Sequence, residues 1–187
     1  ILEVNSPEFR GIKIISNIIV KLEKLIYKEC MGLNDKKRDF RIIVSMTSFP
    51  VRINYAHIIL SRMLSQTLKP DKIILWLSKE QFPMRENELP DSLLKMRNYG
   101  VEIEWCDGDI KAYKKILPAL KQFPDDLVVI VDDDLIYPTD HLQKLYEAHL
   151  KFPNAIIASR VHRILLGKSK ELLSYKSWEK ECLFDRN

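Results

Sequence analysis

Leu127-Val128-Val129-Ile130-Val131 runs directly into Asp132-Asp133-Asp134. Five aliphatic residues without a polar position are the sequence form of a strand buried on both faces, as in a parallel sheet, and the run is expected to be central in that sheet. Ligands of open α/β sheets bind beyond the carboxyl ends of the strands, so the three carboxylates follow the strand where a site belongs. Side chains of an extended chain alternate, which would put Asp132 and Asp134 on one side and Asp133 on the other. Like charges held this close raise one another's pKa, and a bound cation removes the penalty. Mg²⁺ or Mn²⁺ takes one or two protein carboxylates and fills its other positions with phosphate oxygens and water. The triplet therefore reads as a divalent-metal site, the bland alternative being a solvated loop before a helix. One chemistry served by such a site is departure of a phosphate-bearing leaving group such as a nucleoside diphosphate, on which negative charge builds as the bond breaks.

Outward from this run, short apolar segments alternate with segments of helical period, the pattern of a mostly parallel sheet covered by helices. Further strands are expected at 40–46 (FRIIVSM), 71–77 (DKIILWL), 101–105 (VEIEW) and 155–159 (AIIAS). Asn54 can cap a helix running to Leu68, with Ile59, Met63 and Leu64 on one face before Lys69-Pro70 ends it. Thr139 can cap another that carries Leu142, Leu145, Tyr146 and His149. Segments 90–99 and 110–122 complete the pattern, and Pro118 should kink or shorten the second. Ahead of all this, residues 1–38 hold eight Lys or Arg against five Asp or Glu, and so carry most of the chain's net charge of +4. Within that leader, residues 12–30 have the period of a basic amphipathic helix, suited to self-association or to peripheral contact with an anionic membrane surface.

So small a net charge does not point to nucleic acid. Cys30, Cys106 and Cys182 are far apart with no C-x-x-C spacing, which suggests neither a disulfide framework nor a zinc site and suits a reducing cytoplasm. No apolar run approaches the length of a membrane span. The sequence thus divides into a leader, 1–38, and an α/β domain, 39–187.

Three segments in order, IIVSMTSFPVR, YKKILPAL and VVIVDDDLIYP, resemble bacterial glycosyltransferases of the GT-A fold, the Rossmann-like fold of nucleotide-diphospho-sugar transferases, over about residues 39 to 165. In that family a D-x-D motif binds a metal and the diphosphate of the donor. The resemblance implies a hexosyltransferase-like enzyme of polysaccharide biosynthesis, with a nucleotide-sugar donor (UDP-sugar favoured), Mn²⁺ or Mg²⁺, and a glycan or lipid-linked acceptor. It implies Asp134 as the main metal ligand, Asp132 on the metal or the ribose, and Asp133 between them. It also marks Lys115, three residues before the proline of K-x-x-P-A-L, as the partner of the sugar diphosphate.

The loop from Thr47 and Ser48 to Arg52 lies where such transferases hold base and ribose, and Arg52 suits either the diphosphate or a helix start. Asp107 and Asp109 can contact the nucleoside or cap the next helix, and Lys114 is the less favoured neighbour of Lys115. Arg160 and His162, after AIIAS, would lie near the ligand edge, and Tyr175 and Trp178 offer faces for an acceptor sugar or for packing. An inverting transfer needs a carboxylate base after the motif. Glu179, Glu181 and Asp185 are present, none in a context that names it, so the acceptor half is expected to be truncated. Two readings compete: a haloacid-dehalogenase-like phosphohydrolase with Asp132 as nucleophile, and a donor-binding module without its own catalysis. The first is opposed by Ile136, where Thr or Val is expected. A sugar nucleotidyltransferase should carry a Gly-rich loop after its first strand, and SMTSFPVR has no glycine.

Overall fold

The computed structural model describes residues 31–180. The chain divides into two compact units, one through Leu142 and one from Gln143 onward. The leader helix expected over 12–30 lies outside the described residues, as do Glu181 and Asp185. Among the described residues no helix is long and apolar enough to cross a membrane.

The first unit is an α/β fold with a four-stranded, all-parallel sheet. Its strands are β1 (Ile42–Thr47), β2 (Lys72–Ser78), β3 (Val101–Cys106) and β4 (Leu127–Val131), in the order β3-β2-β1-β4. The helices are α1 (Ile53–Leu64), α2 (Asp91–Leu94) and α3 (Leu117–Gln122), with α4 (His141–Lys151) starting at the end of the unit. Strand alternation sends Val44, Met46, Ile73, Leu75 and Leu77 to one face, where Ile59, Leu60 and Met63 of α1 cover them. Ile43, Ile74 and Trp76 point to the other face and meet Ala119 of α3 and Phe123. Helices therefore cover both faces, as expected of a Rossmann-like arrangement.

Four expectations are corrected. LVVIV is a strand, but within the described sheet it pairs with β1 alone and lies at the edge, with Ile130 44% exposed. β1 and β2 are the inner pair, because an aliphatic run records burial of faces and not the number of hydrogen-bonded neighbours. AIIAS forms no strand; it lies in the second unit with no ladder partner, and Ile156 is almost fully exposed. Asn54 does not cap α1: Arg52 holds the N-cap position without a side-chain cap bond, and the helix ends at Leu64. The last helix starts at His141, two residues beyond Thr139, whose carbonyl instead accepts the Thr67 N–H at 2.8 Å.

Pro118 acts as expected. Segment 110–122 breaks into a 3₁₀ turn, Lys111–Lys115, and then α3, with the proline in the first turn where its missing N–H costs no helical bond. Segment 90–99 likewise divides into α2 and a 3₁₀ turn, Lys95–Tyr99, that ends on Gly100 at φ +91°. A Cβ at Gly100 would lie 2.6 Å from Leu33 as well as in the left-handed region, so glycine is required there.

Carboxylates also secure the amino ends of the strands. Asp71 accepts the Ile42 N–H at 2.7 Å and the Asn34 side-chain amide at 2.6 Å, fixing the start of β1 against β2. Asp126 accepts the Arg41 N–H at 3.1 Å and pairs with its guanidinium at 2.5 Å, tying β1 to β4. The Arg41 hydrogen bond holds the Asp126 carboxyl below its usual range.

The second unit, from Gln143, carries most of α4 and then short isolated pairings, Arg163 with Glu179 and Leu166 with Leu172. His162, Tyr175 and Trp178 form a chain of edge-on rings, 5.8 Å and 5.3 Å between centroids, and the Trp178 indole donates to the Leu173 carbonyl.

Candidate functional site

All four strands of the first unit end at one cleft of about 410 Å³. Thr47 and Ser48 come from the end of β1, Gln81 from beyond β2, Asp109 from beyond β3, and Asp132 and Asp133 from beyond β4; Arg52, Lys111, Lys114 and Lys115 complete the charged lining. From β1 the chain proceeds outward through β2 to β3, and then returns to place β4 on the other side of β1. The crevice between the ends of β1 and β4 is thus a topological switch point, where open α/β sheets bind ligands.

At that crevice the backbone turns immediately after Val131, which overturns the expected alternation of the aspartates. Asp133 and Asp134 converge: the Arg52 guanidinium bonds Asp133 at 3.0 Å and Asp134 at 2.7 Å. Asp132 goes the other way and pairs with the Lys115 ammonium. Asp133 is the most enclosed of the three, its side chain 9% exposed, and it also accepts the Ser48 hydroxyl at 2.6 Å. Burial works against the charge on Arg52, but is outweighed by the bond to Asp133 and the nearby Asp133 and Asp134 charges, so its pKa lies above the usual value. Phe49 supports the same guanidinium from 5.3 Å.

A second charged group occupies the other part of the cleft. The Lys114 ammonium, 2% exposed, bonds Asp109 and the Gln81 carbonyl oxygen, and the Gln81 amide donates to Asp109 at 2.9 Å. Lys111 approaches Asp109 at 2.6 Å and donates its backbone N–H at 3.1 Å; its φ of +55° is held by that contact. The bonds from Lys111 and Lys114 lower the Asp109 pKa to about 2. Asp109 therefore binds the protein's own lysines with both oxygens.

The residues Thr47, Ser48, Arg52, Asp109, Lys115, Asp132 and Asp133, each singled out from the sequence, all line this one cleft. Asp134 adjoins it through Arg52. The Thr47 hydroxyl is committed to the Trp76 carbonyl at 2.7 Å, so together with Ser48 it shapes the wall through internal bonds. Asp107 stands apart, its side chain 90% exposed and paired with Lys79. Arg160 and His162 belong to the second unit, and the strand that was to carry them to the sheet edge does not form.

Three contributors were not legible. Gln81 carries no sequence signal. Lys114 lost to Lys115 because a helical lysine is usually solvated, and its burial becomes visible only once Asp109 lies beside it. Tyr137 lies five residues after Asp132, and its hydroxyl accepts the Asp132 N–H at 2.8 Å while its ring lies 4.6 Å from the His141 ring at a tilt of 45°. Burial raises the Tyr137 pKa, and the aspartate charges add to the rise.

Among the described residues no group of three or more His, Cys, Asp or Glu side chains converges to hold a metal ion. Asp132 and Asp134 nonetheless present hard, partly exposed carboxylates, 50% and 30% accessible. Two such donors suit Mg²⁺ or Mn²⁺ when phosphate and water complete the shell. Neither a scan against models of known protein families nor a search of curated proteins finds a match for this chain.

Proposed function

We propose that the cleft binds the diphosphate of a nucleotide sugar together with Mn²⁺ or Mg²⁺, and that the chain provides the donor-binding part of a GT-A-type glycosyltransferase acting on a glycan or lipid-linked acceptor. The observation that carries this reading is the switch-point crevice, where, among the described residues, three adjacent carboxylates are met by the side-chain cations of Arg52 and Lys115 and by the Ser48 hydroxyl. Such pairs can exchange partners. In this reading Asp132 and Asp134, which face different cations in the free cleft, would both turn to the ion, leaving Arg52 and Lys115 for the phosphate oxygens. The ion, when bound, neutralises charge that builds on the leaving diphosphate. Lys115 adds a second positive charge at the same place, so its loss should weaken binding as well as rate. Asp133, held by Ser48 and Arg52, keeps the crevice in shape.

A thermal-shift screen of nucleoside diphosphates with and without Mn²⁺ tests the reading. A ligand at a hundredfold excess over its Kd stabilises the native state by about 2.7 kcal/mol, and UDP is expected to show its shift only with the metal present. Absence of a shift with every nucleoside diphosphate would overturn it. Release of UDP from a UDP-sugar in the presence of Mn²⁺ would extend the result from binding to transfer chemistry.

A further inference from the structure

Ser45 is the lone hydroxyl within the buried part of β1, completely enclosed and in register between Ile74 and Ile130. Its immediate neighbours on that face are apolar, Ile43, Ile74, Trp76 and Val128 packed with α3, while the buried Ser78 and the Lys72–Glu102 pair lie further out on the same face. A hydroxyl there must be paired, and it is paired twice. It accepts the Trp76 indole N–H at 2.9 Å and donates to the backbone carbonyl of Lys115 at 2.5 Å. That carbonyl ends the 3₁₀ turn, whose next bond would come from the N–H three residues ahead. Pro118 occupies that position and has none, and α3 bonding resumes only with Leu120 donating to Ile116. The Ser45 hydroxyl supplies the hydrogen that the proline cannot.

We infer that Ser45, oriented by Trp76, is a positioning residue for Lys115: it pins the backbone from which the ammonium reaches Asp132. The consequence for ligand binding rests on the donor-binding reading; the pinning itself does not. Two measurements separate them. Without any ligand, acetylation of individual lysines, followed by peptide mass spectrometry, reads how tightly Lys115 is held. Ser45→Ala should speed modification of Lys115 about tenfold, with Lys72 and Lys79 unchanged, and Ser45→Thr, which keeps a hydroxyl, should stay near the parent. An unchanged Lys115 rate in Ser45→Ala overturns the inference.

With ligand, titration of UDP in the presence of Mn²⁺ gives a double-mutant cycle. Ser45→Ala should lower affinity about tenfold in the parent and in Arg52→Ala, but less than about twofold in Lys115→Ala, where nothing remains to be positioned. An equal loss in the Lys115→Ala background would show a general structural effect and overturn the inference. No binding of UDP or of any other nucleoside diphosphate to the parent protein would instead defeat the donor-binding reading, leaving the acetylation result to decide on Ser45. Where Ser45→Ala does not fold, Trp76→Phe removes the orienting indole N–H, and a severalfold rise in Lys115 acetylation is expected; no rise counts against the inference.

Discussion

The two edges of the sheet use the same residue type in opposite ways. At the amino edge Asp71 and Asp126 each accept a backbone N–H, from Ile42 and Arg41, in addition to their side-chain partners. At the carboxyl edge the side chains of Asp132, Asp133 and Asp134 take, among the described residues, the Arg52 and Lys115 cations and the Ser48 hydroxyl. A carboxylate that satisfies a backbone amide is part of the fold, because removing it orphans a group that cannot move away. A carboxylate held by a flexible cation can release it to an incoming charge. Adjacency to a strand end therefore does not distinguish an aspartate that secures the fold from a candidate ligand; the nature of its partner does.

The largest effect is expected at Asp71. Asp71→Ala leaves the Ile42 N–H without its acceptor and takes one of two acceptors from the Asn34 amide, and should cost about 2–3 kcal/mol in urea unfolding. Affinity for UDP with Mn²⁺ should not change in the folded protein. A stability loss confined to the range of surface substitutions would erase the distinction between the edges.

Tyr137 sharpens it, since it is the point at which the triplet does touch the fold. Tyr137→Phe removes the acceptor of the Asp132 N–H and should cost about 1 kcal/mol in stability. It should also weaken UDP binding severalfold, because the turn that places Asp132 loosens. A stability change without an effect on binding would show that this bond does not set the geometry of the crevice.

Asp109 is the intermediate case, with one backbone partner and three from side chains. Its folded pKa of about 2 lies below the unfolded value of about 3.9. A carboxylate depressed in this way contributes its stability above the unfolded pKa and loses it as the pH falls through the folded one. The contribution should be complete above about pH 4 and fade towards about pH 2. Unfolding midpoints followed over that window should fall more steeply for the parent than for Asp109→Asn; parallel curves would contradict the assignment. This is the smallest of the expected effects.

Much of this architecture was legible because hydrophobic period is local. LVVIV, DKIILWL and VEIEW became strands within a residue of their expected limits, since each has apolar or alternating positions that must be buried. Neighbourhood is not local. The same aliphatic run that fixed β4 said nothing of which strands would flank it, and AIIAS, with equal strand character, has no ladder to join. The cleft residues could be assembled because ligand sites follow strand ends, which are readable. Their mutual orientation could not, because a turn after Val131 replaces the extended chain that alternation assumes. Ser45 had a readable signal, a hydroxyl within IIVSM, but its purpose depends on Pro118, which lies far along the chain and one layer above.

The claim that carboxylates with exchangeable partners form a metal–diphosphate site is tested most directly by calorimetric titration of UDP, with Mn²⁺ present, into the parent protein, Asp132→Asn and Asp134→Asn. Both substitutions keep the size of the side chain and remove its charge. The expected result is a loss of at least about 30-fold in affinity for each variant, about 2 kcal/mol, with unfolding midpoints close to the parent's. Affinity unchanged in both variants would contradict the account.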